Sequence, residues 1–420
     1  MLKVLKWFIG LFSPYVDPFE RKVDKFFKSI KSTDNIASIR KDLLKLMQQN
    51  LIVVNVWLEK KFKGYSYLTK KKRRKMYEDI AAIKTKLNEH SNAYQIDYDQ
   101  MKKHLSHKGI ELIDANKEKV GYIYSIMEFL KPGKYYKYIK TASFGKLLRD
   151  PNESKLEGDC NQIVTLYIYL FSLKYPVEEL EIKLLPEHVC LHFKNIDIEA
   201  TTGTFEKYTE NRDVLPITEI ISTNLLDLSD FREEVQSISE RDMVKSAQLA
   251  YAISSLKSLV AKNLNIAYRN LGISAMKANN FSSAVFYLSK TDDRELVDMA
   301  YRNAAIYYMK SNNFSKARHY ASKSRDKNLI KTIQHNEGVY YYKKDKLDKA
   351  YGIFSDLGDE KMKKACLGKK YNKLAKKVSG VKTLEDAKKH KSTYRKMLSL
   401  AQKMGDLSLA DSVRSTLKKL

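Results

Sequence analysis

Residues 156–176 read LEGDCNQIVTLYIYLFSLKYP, a Gly-Asp-Cys triplet that leads straight into an apolar run. Ile163, Val164, Leu166, Tyr167, Ile168, Leu170, Phe171 and Leu173 leave the run with no polar face, so it predicts a helix buried on all sides. Asp159 is a good N-cap, and Gly158 is expected to supply an unusual backbone angle in the turn before it. Cys160 then falls in the first helical turn, where outward backbone N–H groups favour negative charge, although the Asp159 carboxylate opposes this. A packing cysteine needs no such setting; a nucleophile does.

A cysteine nucleophile requires a general base and a group that orients the base. Residues 184–203, LLPEHVCLHFKNIDIEATTG, supply both. Folded as a hairpin turning at Lys194-Asn195, they set Phe193 opposite Ile196, His192 opposite Asp197 and Cys190 opposite Glu199. Alternation places His188, Cys190, His192, Asp197, Glu199 and Thr201 on one face, with Val189, Leu191, Phe193, Ile196 and Ile198 on the apolar other. Glu199 lies diagonally across from His188, within reach of its side chain. The candidate triad is Cys160, His188 and Glu199, with Asp197 in reserve as the acid. Cys190 reads as a small packed residue, and His192 with Asp197 as a surface cross-strand pair. A zinc site from Cys160, His188, Cys190 and His192 has suitable ligand types, but alternate positions of one short strand do not converge on one ion. No cofactor or metal is implied.

The runs LEIKLL, HVCLHF and IDIEAT predict a small antiparallel sheet packed on the helix after Cys160, an α+β arrangement. GDC opening a buried helix, a histidine starting the strand HVCLHF and an acid in IDIEAT together resemble the core of the transglutaminase-like superfamily. That resemblance implies a papain-type cysteine-histidine-acid site, with Cys160 as nucleophile, His188 as base and then acid, and Glu199 as the orienting carboxylate. It also implies acyl transfer through a thioester, as in the superfamily's hydrolases and acyltransferases, with the Cys160 N–H holding the oxyanion and Gln162 nearby. Two departures stand out. Glu199 occupies a position that is Asp in many members, and VCLH follows the histidine where an aromatic residue is often found.

Beyond this part the chain repeats itself. AYRNLGISAMKANNFSSAVFYLSK from Ala267, AYRNAAIYYMKSNNFSKARHYASKS from Ala300 and QHNEGVYYYKKDKLDKAYGIF from Gln334 align at a period of about 33 residues. Gly272, Ala305 and Gly338 recur on the first helix of each copy, and Ala284, Ala317 and Ala350 on the second, as close helix approach requires. NNF, NNF and DKL occupy the turns, and YRKMLSLAQKMGDLSLADSV from Tyr394 reads as a looser hairpin. Residues 266–357 resemble tetratricopeptide repeats, without the bulky aromatic usual near the start of each. A solenoid of this kind offers a concave surface to a protein or peptide partner.

Residues before about 108 read as helical and carry no catalytic motif, as in SIRKDLLKLMQQNLIVVNVWLEKKF and RRKMYEDIAAIKTKLNEH. Neither the opening MLKVLKWFIGLFSPYVDPFERK nor NLIVVNVWL is long enough to span a bilayer. The opening helix reads either as docked on the core or as lying in a membrane surface with Lys3 and Lys6 towards the headgroups.

The expected organisation is a helical region at 1–108, a transglutaminase-like α+β domain at 109–232 and an all-α helical-repeat solenoid at 233–420. Three cysteines in 420 residues argue against a disulfide framework and for a reducing, cytoplasmic setting. The formal charge of +27 gives weak, non-specific attraction to nucleic acid or anionic membrane, and the run TKKKRRK at Thr69–Lys75 reads as a solvated helix end. The functional expectation is a cysteine-dependent hydrolase or acyltransferase whose repeats recruit a protein. The alternative is a non-catalytic interaction scaffold with a degenerate transglutaminase-like domain.

Overall fold

The computed structural model describes residues 13–31, 34–93, 95–209, 214–227 and 239–420. The opening amphipathic stretch, Ser13 and its neighbours apart, lies outside them. The chain forms a mixed α+β part followed by a long, purely α-helical stretch. It divides into two compact units, Met1–Leu271 and Gly272–Leu420.

In the first unit, α1 (Pro18–Ser29), α2 (Ile36–Leu58), α3 (Lys70–Ala93), α4 (Tyr98–His107) and α5 (Lys117–Phe129) precede a short parallel pair, β1 (Tyr136–Tyr138) and β2 (Leu156–Gly158). Then come α6 (Cys160–Phe171) and the strands β3 (Glu181–Leu185), β4 (His188–Phe193), β5 (Ile196–Glu199), β6 (Thr204–Glu206) and β7 (Val214–Pro216). These five form one antiparallel sheet in the order β6-β5-β4-β3-β7. The helices α7 (Glu219–Leu226) and α8 (Glu240–Ile253) follow, and α9 (Lys257–Lys277) contains the division between the units.

The apolar run after Cys160 is buried from Gln162 to Phe171. Because it has no face for water, it is covered by α2, α5, α7 and β4. Polar side chains fix its position among these neighbours. Asn224 of α7 donates to Asn55 of α2 at 2.8 Å and to Thr165 of α6 at 2.9 Å, all three buried. At the far end, the Gln48 amide donates to the Ser172 carbonyl at 2.8 Å and accepts from the Val177 N–H at 2.6 Å. α2 itself kinks at Asn50 (φ −168°, ψ 92°), whose side chain caps the second half by accepting from Val53 N–H at 3.2 Å.

The basic run departs from its expected solvation at one residue. Arg73 is 2% exposed and forms a two-pronged pair with the buried Glu20, Nε to Oε1 at 2.7 Å and Nη2 to Oε2 at 3.1 Å. It also donates to the carbonyls of Leu68 and Pro14 and lies over Trp57. Only Arg offers enough fixed donors to satisfy all of these at once. Replacing Arg73 with Ala strands a buried carboxylate and is expected to cost about 3–5 kcal/mol, read as a lowered urea midpoint.

The second unit is a series of helical hairpins. α10 (Phe281–Leu288), α11 (Arg294–Lys310) with α12 (Phe314–Ala321), and α13 (Lys327–Lys343) with α14 (Leu347–Asp356) are followed by the long α15 (Glu360–Val378). α16 (Leu384–Lys389) then leads to the hairpin of α17 (Lys391–Met404) and α18 (Leu407–Lys419). Turns enter the left-handed region at Asn279, Asn312, Asp345 and Gly405, and Asn280, Asn313 and Asp406 cap the helices that follow. Ala284, Ala305, Ala317 and Ala350 are fully buried. A Cβ at Gly272 would fall 2.6 Å from Leu288, and one at Gly338 would fall 2.7 Å from the Phe354 ring. Gly338→Ala is therefore expected to destabilise by about 1–3 kcal/mol, and trimming the ring in a Gly338→Ala, Phe354→Leu double variant to recover part of that. Denaturant melts of the single and double variants check it.

Candidate functional site

Two local structures bring the candidate residues together. The first is the entry to α6. β2 pairs with β1 up to Gly158, whose carbonyl accepts from Tyr136 Oη at 2.9 Å and from Ile139 N–H at 3.0 Å. Gly158 does not take the positive φ expected of it. It is needed for closeness, since a Cβ there would lie 3.2 Å from Gln162 Cβ and 3.3 Å from Leu147 Cδ1. Asp159 then caps the helix, accepting from the Asn161 N–H at 3.0 Å while Gln162 Oε1 accepts from the Asp159 N–H at 3.0 Å. Cys160 is thereby held, half-buried, at the first helical position. Its N–H has no acceptor within the helix.

The second is the sheet. The hairpins β3–β4 and β4–β5 turn through Glu187 and Lys194, both at positive φ. The register sets Phe193 opposite Ile196 and His192 opposite Asp197, as the hairpin reading requires. His188 Nε2 meets Glu199 Oε2 at 2.7 Å, and Cys160 lies close enough to the same ring to raise its pKa. Cys160 and His188 thus line one cleft, and Glu199 is bonded to the ring.

Glu199 is fixed from both sides. Its Oε1 accepts from Thr201 Oγ1 at 2.6 Å and from the Thr201 N–H at 3.3 Å, and its Oε2 also accepts from Tyr208 Oη at 3.1 Å. Burial raises its pKa, but the bonds from His188 and Thr201 outweigh burial and hold it below the ordinary glutamate value. His188 is pushed the other way. Proximity to Cys160, then the bond to Glu199, raises its pKa to about 10 against the opposing effect of burial. Tyr208 lies beyond the strands from which the triad was read, and no alternation rule points to it.

Asp197 has a separate task. It accepts from His192 Nδ1 at 2.6 Å, Lys183 Nζ at 2.9 Å and the Tyr208 N–H at 2.7 Å. His192 and Asp197 are 8% and 2% exposed, so the pair is buried and not at the surface as expected. Lys183 shares this face from β3, and its Nζ leaves Asp197 fully engaged away from His188. Cys190 is fully buried, and burial followed by the charges of Asp197 and Glu199 pushes its thiol up to about 12. Among the described residues no group of His, Cys, Asp and Glu is arranged to hold a metal ion.

Beside the cysteine, Asn161 Nδ2 and Gln162 Nε2 both donate to Asp227 Oδ2, at 3.1 and 3.3 Å. Gln162 is therefore held at both ends of its amide. Burial, then the proximity of Asp227, raises Asp159 to about 7. A cleft of about 360 Å³ opens on Cys160 and His188, walled by Leu184, Val189, Leu226 and Leu256. Tyr138, 47% exposed, is close enough that burial and then the Cys160 charge raise its phenol.

No family model matches the chain, and no curated protein is significantly similar to it.

A group with a raised folded-state pKa stabilises the fold fully below its unfolded value, and that contribution disappears as pH rises through the folded one. For His188 the window runs from about 6.5 to about 10. Glu199→Gln is expected to bring the His188 Cε1–H NMR titration to lower pH and to flatten the fall of urea midpoint across that window. An unchanged His188 titration in Glu199→Gln would contradict the coupling.

Proposed function

We propose that the chain is a cysteine-dependent hydrolase or acyltransferase, with Cys160 as nucleophile, His188 as general base and acid, and Glu199 as the carboxylate that orients the ring. The observation that carries this reading is one imidazole that shares a cleft with Cys160 and is bonded to Glu199 Oε2 at 2.7 Å. The motif resemblance to the transglutaminase-like superfamily agrees with it, and Glu199 in place of Asp is accommodated by the extra bonds from Thr201 and Tyr208.

In this reading the proton rests on His188 and the sulfur attacks an amide or ester carbonyl as thiolate. The carbonyl oxygen takes the negative charge and receives the Cys160 N–H. As the tetrahedral intermediate collapses, His188 passes its proton to the departing nitrogen or oxygen, the carbon–heteroatom bond breaks and a thioester remains. Water or an amine then attacks the thioester, giving its proton to the now neutral ring, and sulfur leaves as thiolate. Glu199 keeps the ring cation stabilised throughout without taking its proton. The apolar walls of the cleft suit an apolar acyl group. The helical hairpins of the second unit, read as tetratricopeptide-like, recruit the protein that carries it.

With Cys190→Ala and Cys366→Ala as background, iodoacetamide is expected to label Cys160 readily at pH 6, well below the pKa of about 8.5 of a free thiol. His188→Ala is expected to slow that labelling about tenfold or more. Labelling that follows an ordinary thiol and ignores His188 would sink the enzyme reading and favour the scaffold.

A further inference from the structure

The basic charge of the chain is unevenly placed. Residues 360–420 hold 18 Lys and Arg against five Asp and Glu. On α15, Lys370, Lys373 and Lys377 recur at three- and four-residue spacing and so share one helical face, where like charges weaken a helix. Ion pairs within the fold account for Lys370 and Lys373 but not for Lys377.

That face borders a groove of about 700 Å³ between α14, α15 and α17. Its apolar surface comes from Leu347, which is buried, and from the half-buried Leu374 and Leu400. Two of its lysines are already answered, Lys370 by Asp348 and Lys373 by Asp345. Lys376, Lys377 and Lys396 also line it, are exposed, and form no ion pair among the described residues. The groove therefore joins leucine contacts to three unanswered positive charges.

We infer that this groove docks an acidic peptide with apolar anchors, its leucine-like side chains against Leu347, Leu374 and Leu400 and its carboxylates on Lys376, Lys377 and Lys396. Charge complementarity decides the sign of the occupant, and the leucines decide its class. A single-stranded nucleic acid is held by aromatic platforms for its bases, and no aromatic ring lines this groove. The inference is independent of catalysis at Cys160.

The test is fluorescence anisotropy with the full chain and a fluorescein-labelled peptide of interspersed Leu and Glu, at moderate salt. The peptide is expected to bind, and the Lys376→Glu, Lys377→Glu, Lys396→Glu variant to bind it about tenfold or more weakly. A second peptide with Ser for every Leu, tried on the unaltered protein, is expected to lose a similar factor, so the result stands even where the charge-reversed chain fails to fold. Cys160→Ala is expected to bind as the parent does. Absence of binding, indifference to the charge reversal in a folded variant, or equal binding of the Ser peptide or of an oligouridine probe would overturn the proposal.

Discussion

The first unit depends on a helix that has no surface of its own. Because α6 is apolar all round, water is excluded from every side, and α2, α5, α7 and the sheet must close over it. The buried contacts of Asn55, Thr165 and Asn224 then favour this placement among those neighbours, since losing them strands the amide N–H groups of Asn224 in the core. A helix fixed so firmly along its length has a fixed beginning. The cysteine at that beginning inherits the precision of the core without being part of it.

The sheet sets two histidine-carboxylate pairs on one face and gives them different surroundings. His192 and Asp197 are sealed in with Lys183, so their polar groups are satisfied inside the sheet, with the Tyr208 backbone as a further partner. His188 retains 27% side-chain exposure at the cleft, one strand-length away, with its carboxylate braced behind it. The chemistry of the two pairs is nearly the same, and access to solvent separates a structural pair from one that can meet a substrate. Which pair faces the cleft is decided by which end of β4 lies beside the start of α6.

Much of this was legible in the chain because it rests on short-range rules. Alternation in HVCLHF and IDIEAT placed His188 and Glu199 on one face, and the two-residue turn at Lys194-Asn195 set the register. Periodicity found the hairpins of the second unit, because small residues must recur wherever helices touch. What the chain hid were contacts between distant segments. The burial of Arg73 depends on Glu20, the commitment of Gln162 on Asp227, and the bracing of Glu199 on Tyr208, none of which has a local signature. Gly158 was misread for a related reason, since the side chain of Leu147 that crowds it comes from elsewhere in the chain.

The hairpin turns of the second unit carry a consequence for the unfolded chain. Asn279, Asn312 and Asp345 occupy backbone conformations that glycine adopts most cheaply. A residue with a Cβ is strained there in the native turn, yet it wanders less when the turn is open, so less freedom is surrendered on folding. The chain has only 15 glycines in 420 residues. Each hairpin of this unit nonetheless joins near neighbours in sequence, which favours rapid, local assembly.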